Sequence, residues 1–113
     1  HAKNCANGVI HPACLGPQLA NEFAEKYGAQ AMVVNPPDVD EMQELARITG
    51  IKGVNRMIHL HALNLKETAI RHSKNVMNKK YEECNYVVCH IGGGISISAH
   101  KRGRMTLSAA KAP

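Results

Sequence analysis

Three consecutive glycines, Gly92-Gly93-Gly94, stand between two stretches of different pattern, and they constrain the fold more than any other feature. Before them, Asn85 to Ile91 is a near-continuous apolar run, long enough for a buried strand. After them, Ile95-Ser96-Ile97-Ser98-Ala99-His100 alternates with the period of two expected of a half-buried strand. Lys101-Arg102-Gly103-Arg104 then reads as a turn, and Met105-Thr106-Leu107 as the start of a third strand. The last third is therefore expected to be a meander. A loop without Cβ atoms lets backbone N–H groups come close to a phosphate. It is not a P-loop, because no Gly-Lys-Ser/Thr follows. It also fails the dinucleotide fingerprint, since Ile97 stands at the third glycine position and a strand follows instead of a helix. A flexible hairpin or bulge is the competing reading of the same residues.

The first two-thirds read as mostly helical. Leu15, Leu19, Phe23 and Tyr27 recur at steps of four, which predicts a helix over about 16–27 closed by Gly28. Ala31-Met32-Val33-Val34 predicts a short buried strand, ended by Asn35-Pro36-Pro37 because neither proline can donate to a sheet or continue a helix. Asp38 and Glu41 have the spacing of a capping box and predict a second helix, stopped at Gly50. Residues 51–55 read as a turn. A longer helix is expected over 56–78, with Leu63, Ile70 and Met77 at seven-residue steps and Leu60, Ala69, Ser73 and Val76 beside them. Helix, strand, two helices and three strands make a mixed α/β layout.

Charge and thiols narrow the chemistry. Residues 1–55 carry four bases and six acids, whereas residues 56–113 carry ten bases and three acids, for a net of +5 over the 113-residue chain. A basic half favours an anionic partner such as phosphate or a nucleotide. A nucleic-acid partner, through the basic turn at 101–104, is disfavoured because aromatics are only 4% and no recognition motif accompanies it. Cys5, Cys14, Cys84 and Cys89 form no CxxC pair, and Cys89 is expected to be a buried apolar residue. With no leader visible, reduced thiols in a cytoplasmic protein are the default, although a chain that opens on His1 reads as a piece of something longer. The seven histidines include His59 and His61, two apart and so on different helix faces, and complete no metal-ligand spacing. His90 differs from the rest, because it stands two residues before the glycine loop, where it can donate to a phosphoryl oxygen or simply end the strand.

Several stretches taken in order resemble the butyrate kinase and branched-chain carboxylic acid kinase family, relatives of acetate kinase. Met32-Val33-Val34-Asn35-Pro36-Pro37-Asp38-Val39-Asp40-Glu41-Met42 looks like the family's strand, Asp-Pro turn and Val-Asp-Glu helix start, and Ala46-Arg47-Ile48-Thr49-Gly50 continues it. His61-Ala62-Leu63-Asn64-Leu65-Lys66 is similar to its His-Ala-Leu-Asn-Gln-Lys segment. Lys79 to Glu82 and Val88-Cys89-His90-Ile91-Gly92-Gly93-Gly94-Ile95-Ser96 resemble its entry into the phosphate loop, extended by Ala99 to Arg104. His11-Pro12-Ala13-Cys14-Leu15-Gly16 resembles a family His-x-x-Asn-Leu-Gly.

The resemblance implies a fragment of an actin-like, sugar-kinase-like fold of two ribonuclease-H-type lobes. Residues 1–34 would end the first lobe and residues 35–113 begin the second. It implies phosphoryl transfer between ATP, with Mg2+, and a short-chain carboxylate in a cytoplasmic, homo-oligomeric parent. Asn35, His61 and His90 would be catalytic, and Gly92, Gly93, Gly94 and Ser96 would lie around the phosphates. Two departures stand against this. Asn35 occupies the family's Asp position, keeping the size but losing the charge. The tail Ser108-Ala109-Ala110-Lys111-Ala112-Pro113 leaves the pattern, before the loop that carries the family's phosphoryl-binding arginine. A degenerate, non-catalytic member with weak phosphate binding is therefore the alternative.

Overall fold

The computed structural model describes residues 15–111. The opening segment with Cys5, Cys14 and the His11–Cys14 stretch lies outside the described residues, as do Ala112 and Pro113. The chain divides into two compact units between Val34 and Asn35.

The first unit holds α1, Leu15–Tyr27, where the four-residue stripe predicted it. Phe23 and Tyr27 stack one turn apart at 6.1 Å between ring centroids. Gly28 takes φ +63°, and Ala29 donates its N–H to the Ala24 carbonyl at 2.9 Å, which ends the helix in the left-handed conformation that glycine allows. The buried strand expected at Ala31–Val34 does not form. This run has no ladder partner among the described residues, and Met32, Val33 and Val34 are all exposed. β-Propensity alone does not make a strand, because its N–H and C=O groups need a neighbour.

The second unit starts at Asn35, a left-handed residue (φ +44°) of a type that tolerates that conformation. The helix expected from Asp38 shrinks to one turn, α2, Glu44–Arg47. Glu41, which would have completed the capping box, and its neighbour Asp40 have other partners. Asp40 accepts the Met42 N–H at 3.2 Å and takes a two-pronged grip from the Arg47 guanidinium at 2.6 Å on each oxygen. Glu41 reaches across to Lys66 Nζ at 2.6 Å and to the Met105 N–H at 2.8 Å. The turn at 51–55 is present, pinned by an isolated bridge between Ile48 and Asn55.

The long helix is also shorter than expected. α3 runs Ala62–Asn75, and residues 56–61 are irregular. Its buried face is Ala62, Leu65, Ala69 and Ser73, while Leu63, Ile70 and Met77 point outward. Of the expected set, Leu60, Ala69 and Ser73 are buried, and the residues at seven-residue steps are not. The packing selected small ones, because Ala69 and Ser73 let the helix lie close on a sheet. Ser73 donates to the Ala69 carbonyl at 2.8 Å and meets Tyr86 Oη at 2.8 Å.

The sheet is the expected meander: β1 Asn85–Ile91, β2 Ile95–Lys101 and β3 Arg104–Lys111, antiparallel in that order. Arg102 and Gly103 both take positive φ (+50° and +82°), the primed hairpin turn. A Cβ on Gly103 would stand 3.0 Å from Glu82 Cγ. β2 pairs His90↔Ser96 and Cys89↔Ile97 with β1, and shifts register against β3 between Ala99 and His100.

The core gathers Leu60, Ala62, Leu65 and Ala69 against Tyr81, Val88 and Met105, with Val39, Ile58 and Tyr86 packed around them. Leu65, fully buried, alone contributes roughly 1.5–3 kcal/mol by leaving water. The alternation of β2 therefore works in an unexpected sense: Ser96, Ser98 and His100 face α3 and are buried, and Ile95 and Ile97 face outward. β1 is correspondingly not a buried strand, since only Val88 is enclosed. Cys89, expected inside, is exposed, whereas Cys84 is buried.

Candidate active site

The site forms where α3 begins over the end of β1. His61 immediately precedes α3, and Ser96, on β2, lies beneath it. Ser96 Oγ is 2.9 Å from His61 Nδ1 and also accepts the His61 backbone N–H at 3.4 Å. The register places His90, on β1, directly opposite Ser96. The two imidazoles stack, with centroids 3.9 Å apart and planes 16° from parallel. Asn64, in the first turn of α3, brings Nδ2 to 3.1 Å from His90 Nδ1, and its Oδ1 accepts the Thr68 hydroxyl at 3.2 Å.

The glycine loop closes the site. A Cβ on Gly92 would stand 3.2 Å from His90 Nε2, so glycine keeps that edge of the ring uncovered. None of Gly92, Gly93 or Gly94 takes a positive φ, so the triplet serves close approach and not backbone strain. Gly92 spends its N–H on the Gly94 carbonyl at 3.0 Å. Among the described residues no acceptor is recorded for the Gly93 and Gly94 amides. These amides, two imidazoles and the start of a 14-residue helix together suit an anion.

His61, His90, Gly92 to Gly94 and Ser96, the residues singled out from the sequence, thus come together. Ser96 is completely buried behind His61, so its hydroxyl serves the ring and does not face the loop's outer side. Among the described residues no hydrogen bond ties Asn35 to them; Pro37, two residues on, accepts the Leu60 N–H at 2.9 Å, just ahead of His61. No hydrogen bond of the Asn35 side chain is recorded among the described residues. Asn64 was not among the expected site residues, although its i, i+3 spacing from His61 on a helix start is the signal that could have found it.

A second buried polar group lies further along β2, where His100 pairs with Tyr86 of β1. His100 is held at both nitrogens, by Tyr81 Oη at 2.5 Å and Ser98 Oγ at 2.6 Å. Burial, aided by Lys66 and opposed by Glu41, lowers the His100 pKa below the ordinary imidazole value. Burial, with Glu41 and Glu82 nearby, pushes Tyr81 up to about 12. Burial also acts to raise Glu41, but Lys66, the Met105 N–H and Arg104 outweigh it and hold the carboxyl low. A separate groove of about 320 Å3, lined by Arg56, Met57, His59, Ser108 and Ala109, includes neither stacked histidine.

No family model matches the chain. Individual proteins do. The chain is 52% identical over 95 residues to a probable butyrate kinase of Enterococcus faecalis and 48% identical over 95 residues to one of Elusimicrobium minutum. It is 43% identical over the same length to butyrate kinase 2 of Clostridium acetobutylicum. The family resemblance is established, and it is to the butyrate kinases. The match covers 84% of this chain but only about a quarter of each of these relatives' length. The stacked histidines and glycine loop therefore belong to a butyrate-kinase-like segment that is short beside those relatives.

Proposed function

We propose that the complete protein carrying this segment is a carboxylic acid kinase that transfers the γ-phosphoryl group of ATP to a short-chain carboxylate. The observation that carries the reading is the stacked His61–His90 pair beside Gly92–Gly94, in a stretch similar to butyrate kinases along most of its length. A carboxylate is ionised at neutral pH, so its oxygen needs no strong base before attacking. One carboxylate oxygen forms a bond to the γ-phosphorus while the bond to the β-bridging oxygen breaks, giving an acyl phosphate and ADP. The demand on the protein is to hold two anions together and to balance charge on the transferring group. His61 and His90 would donate to phosphoryl oxygens, with the Gly93 and Gly94 amides beside them.

The described residues do not form a magnesium-binding set. No group of three or more His, Cys, Asp or Glu is placed to hold an ion, and Asn35 is neutral where the family Asp is charged. Mg2+ would enter on the nucleotide's phosphate oxygens, its usual hard ligands. In this reading the parent has the actin-like two-lobed fold, and the division at Val34/Asn35 is the support for placing residues 1–34 at the end of one lobe and 35–113 at the start of the next. A homo-oligomeric, cytoplasmic parent is part of the same proposal.

The test is direct. Incubating the complete protein with Mg-ATP, hydroxylamine and short straight or branched carboxylates should yield hydroxamate in proportion to ADP. ADP formation that does not depend on the acid, or none at all, would sink the proposal. Asn35 supports one second reading, a member that binds nucleotide without turnover. Mg-ATP binding with no hydroxamate is its signature.

A further inference from the structure

We infer that Ser96 and Asn64 are positioning residues that fix the tautomers of His61 and His90, so that each neutral ring carries its proton on Nε2 and the stacked pair presents two N–H donors to the oxygens of one anion. This deepens the phosphoryl-transfer reading and rests on it for the identity of that anion. The hydrogen bonds behind the rings carry the argument.

Ser96 Oγ already accepts the His61 backbone N–H, which can only donate. The hydroxyl is fully buried, and no other acceptor for its own proton is recorded among the described residues. A buried O–H left without an acceptor is costly, so the proton points at His61 Nδ1, 2.9 Å away. Nδ1 is then an acceptor, and the neutral ring keeps its hydrogen on Nε2.

At His90 the partner is an amide. Asn64 turns its oxygen to the Thr68 hydroxyl and its nitrogen to His90 Nδ1, 3.1 Å away. An amide nitrogen only donates, so Nδ1 accepts here too and Nε2 carries the hydrogen. His90 Nε2 is the atom that Gly92, lacking a side chain, leaves uncovered. Two helix-and-sheet-borne groups thus set both rings to the same tautomer, with the donors on the edges away from the protein partners.

Long-range proton–nitrogen spectra of the complete protein, with histidine labelled by 15N and the two rings assigned by single replacement, read the tautomers without reference to turnover. The expected result is Nε2–H at both rings. Ser96→Ala should turn His61 into a mixture and leave His90 unchanged, and Ser96→Thr, which keeps the hydroxyl, should restore it. Asn64→Asp, of equal size but only accepting, should invert His90 to Nδ1–H and lower kcat by tenfold or more with a smaller change in KM for ATP. An Nδ1–H tautomer at either ring in the unmodified protein overturns the inference. So do tautomers that ignore these substitutions. Should Ser96→Ala not fold, the unmodified spectrum and Asn64→Asp decide. Tautomers as expected in a protein that makes no acyl phosphate support this inference and count against the proposed reaction alone.

Discussion

At Asn35 charge and conformation can be separated. The residue sits at φ +44°, which both Asn and Asp tolerate, so Asn35→Asp changes the charge with little change in backbone preference. If the family's anion at this position helps place the nucleotide's magnesium, Asn35→Asp in the complete protein should raise hydroxamate formation about tenfold, equivalent to ~1.4 kcal/mol of barrier. The check is the rate at limiting Mg2+, and an unchanged rate removes Asn35 from the account of turnover. Gly92 makes the opposite test. Its φ is not positive, so alanine is conformationally acceptable, yet the added Cβ would stand 3.2 Å from His90 Nε2. Gly92→Ala should leave the urea midpoint nearly unchanged and lower kcat by roughly tenfold, equivalent to ~1.4 kcal/mol. Equal losses of stability and activity would mean that the glycine is structural only.

The elements show which parts of the fold are readable in a sequence. α1, the three strands and the turn at 102–103 follow from local pattern: a four-residue stripe, a period of two, and a Gly where φ is positive. His90 beside the glycines is legible in the sequence, but that His61 joins them could be anticipated only through family resemblance, since it comes from a helix start some thirty residues away. What stayed hidden was the outcome of tertiary competition. Asp38 and Glu41 have capping spacing, but Glu41 instead holds Lys66 and Met105. Ala69 and Ser73 could be placed on the apolar side of α3, but that they and not Leu63 and Ile70 form its buried stripe depends on the sheet against them, which nothing in the helix itself announces. The faces can be distinguished by stability. Ala69→Leu should cost roughly 1–3 kcal/mol by overpacking, whereas Leu63→Ala on the exposed face should stay within about 0.5 kcal/mol. Urea melts of the two variants check it, and equal effects would contradict the assignment of faces.

The seam between α3 and the sheet also predicts a pH dependence. The His100 pKa is lowered by burial, so the unfolded chain binds that proton first as pH falls. The stability due to neutral His100 is full above about pH 6.5, the unfolded value, and is lost as pH falls toward the folded one. The carboxyl of Glu41, also lowered, contributes in a separate window, beginning near its ordinary 4.5 and below. The urea midpoint should therefore drop between pH 7 and pH 5, and His100→Gln should flatten that drop. A slope that survives His100→Gln would place its origin elsewhere.

For the molecule as a whole, the balance of covered and uncovered surface matters most. α3 covers one face of the sheet, and the other presents Val87, Ile91, Ile95, Ile97 and Leu107, all exposed, with Cys89 among them. β1 and β3 are the sheet's edges, and among the described residues part of the β3 edge is occupied, where Gln43 donates to the Thr106 carbonyl at 3.0 Å. A contiguous apolar face beside an open strand edge is unusual in a stable monomer and draws in another surface. The +5 net charge opposes association only weakly at ordinary ionic strength, because charges more than about 8 Å apart are largely screened. The 113-residue chain expressed alone should therefore run above its 12.3 kDa monomer mass in light scattering and bind a hydrophobic dye. Placing lysines at Val87 and Ile97, whose side chains already face solvent, should restore the monomer without lowering helix content, because the core under α3 is untouched. A monomer with a sharp thermal transition before any substitution would mean that this face is stable in water by itself, and that the second unit needs no other surface to complete it.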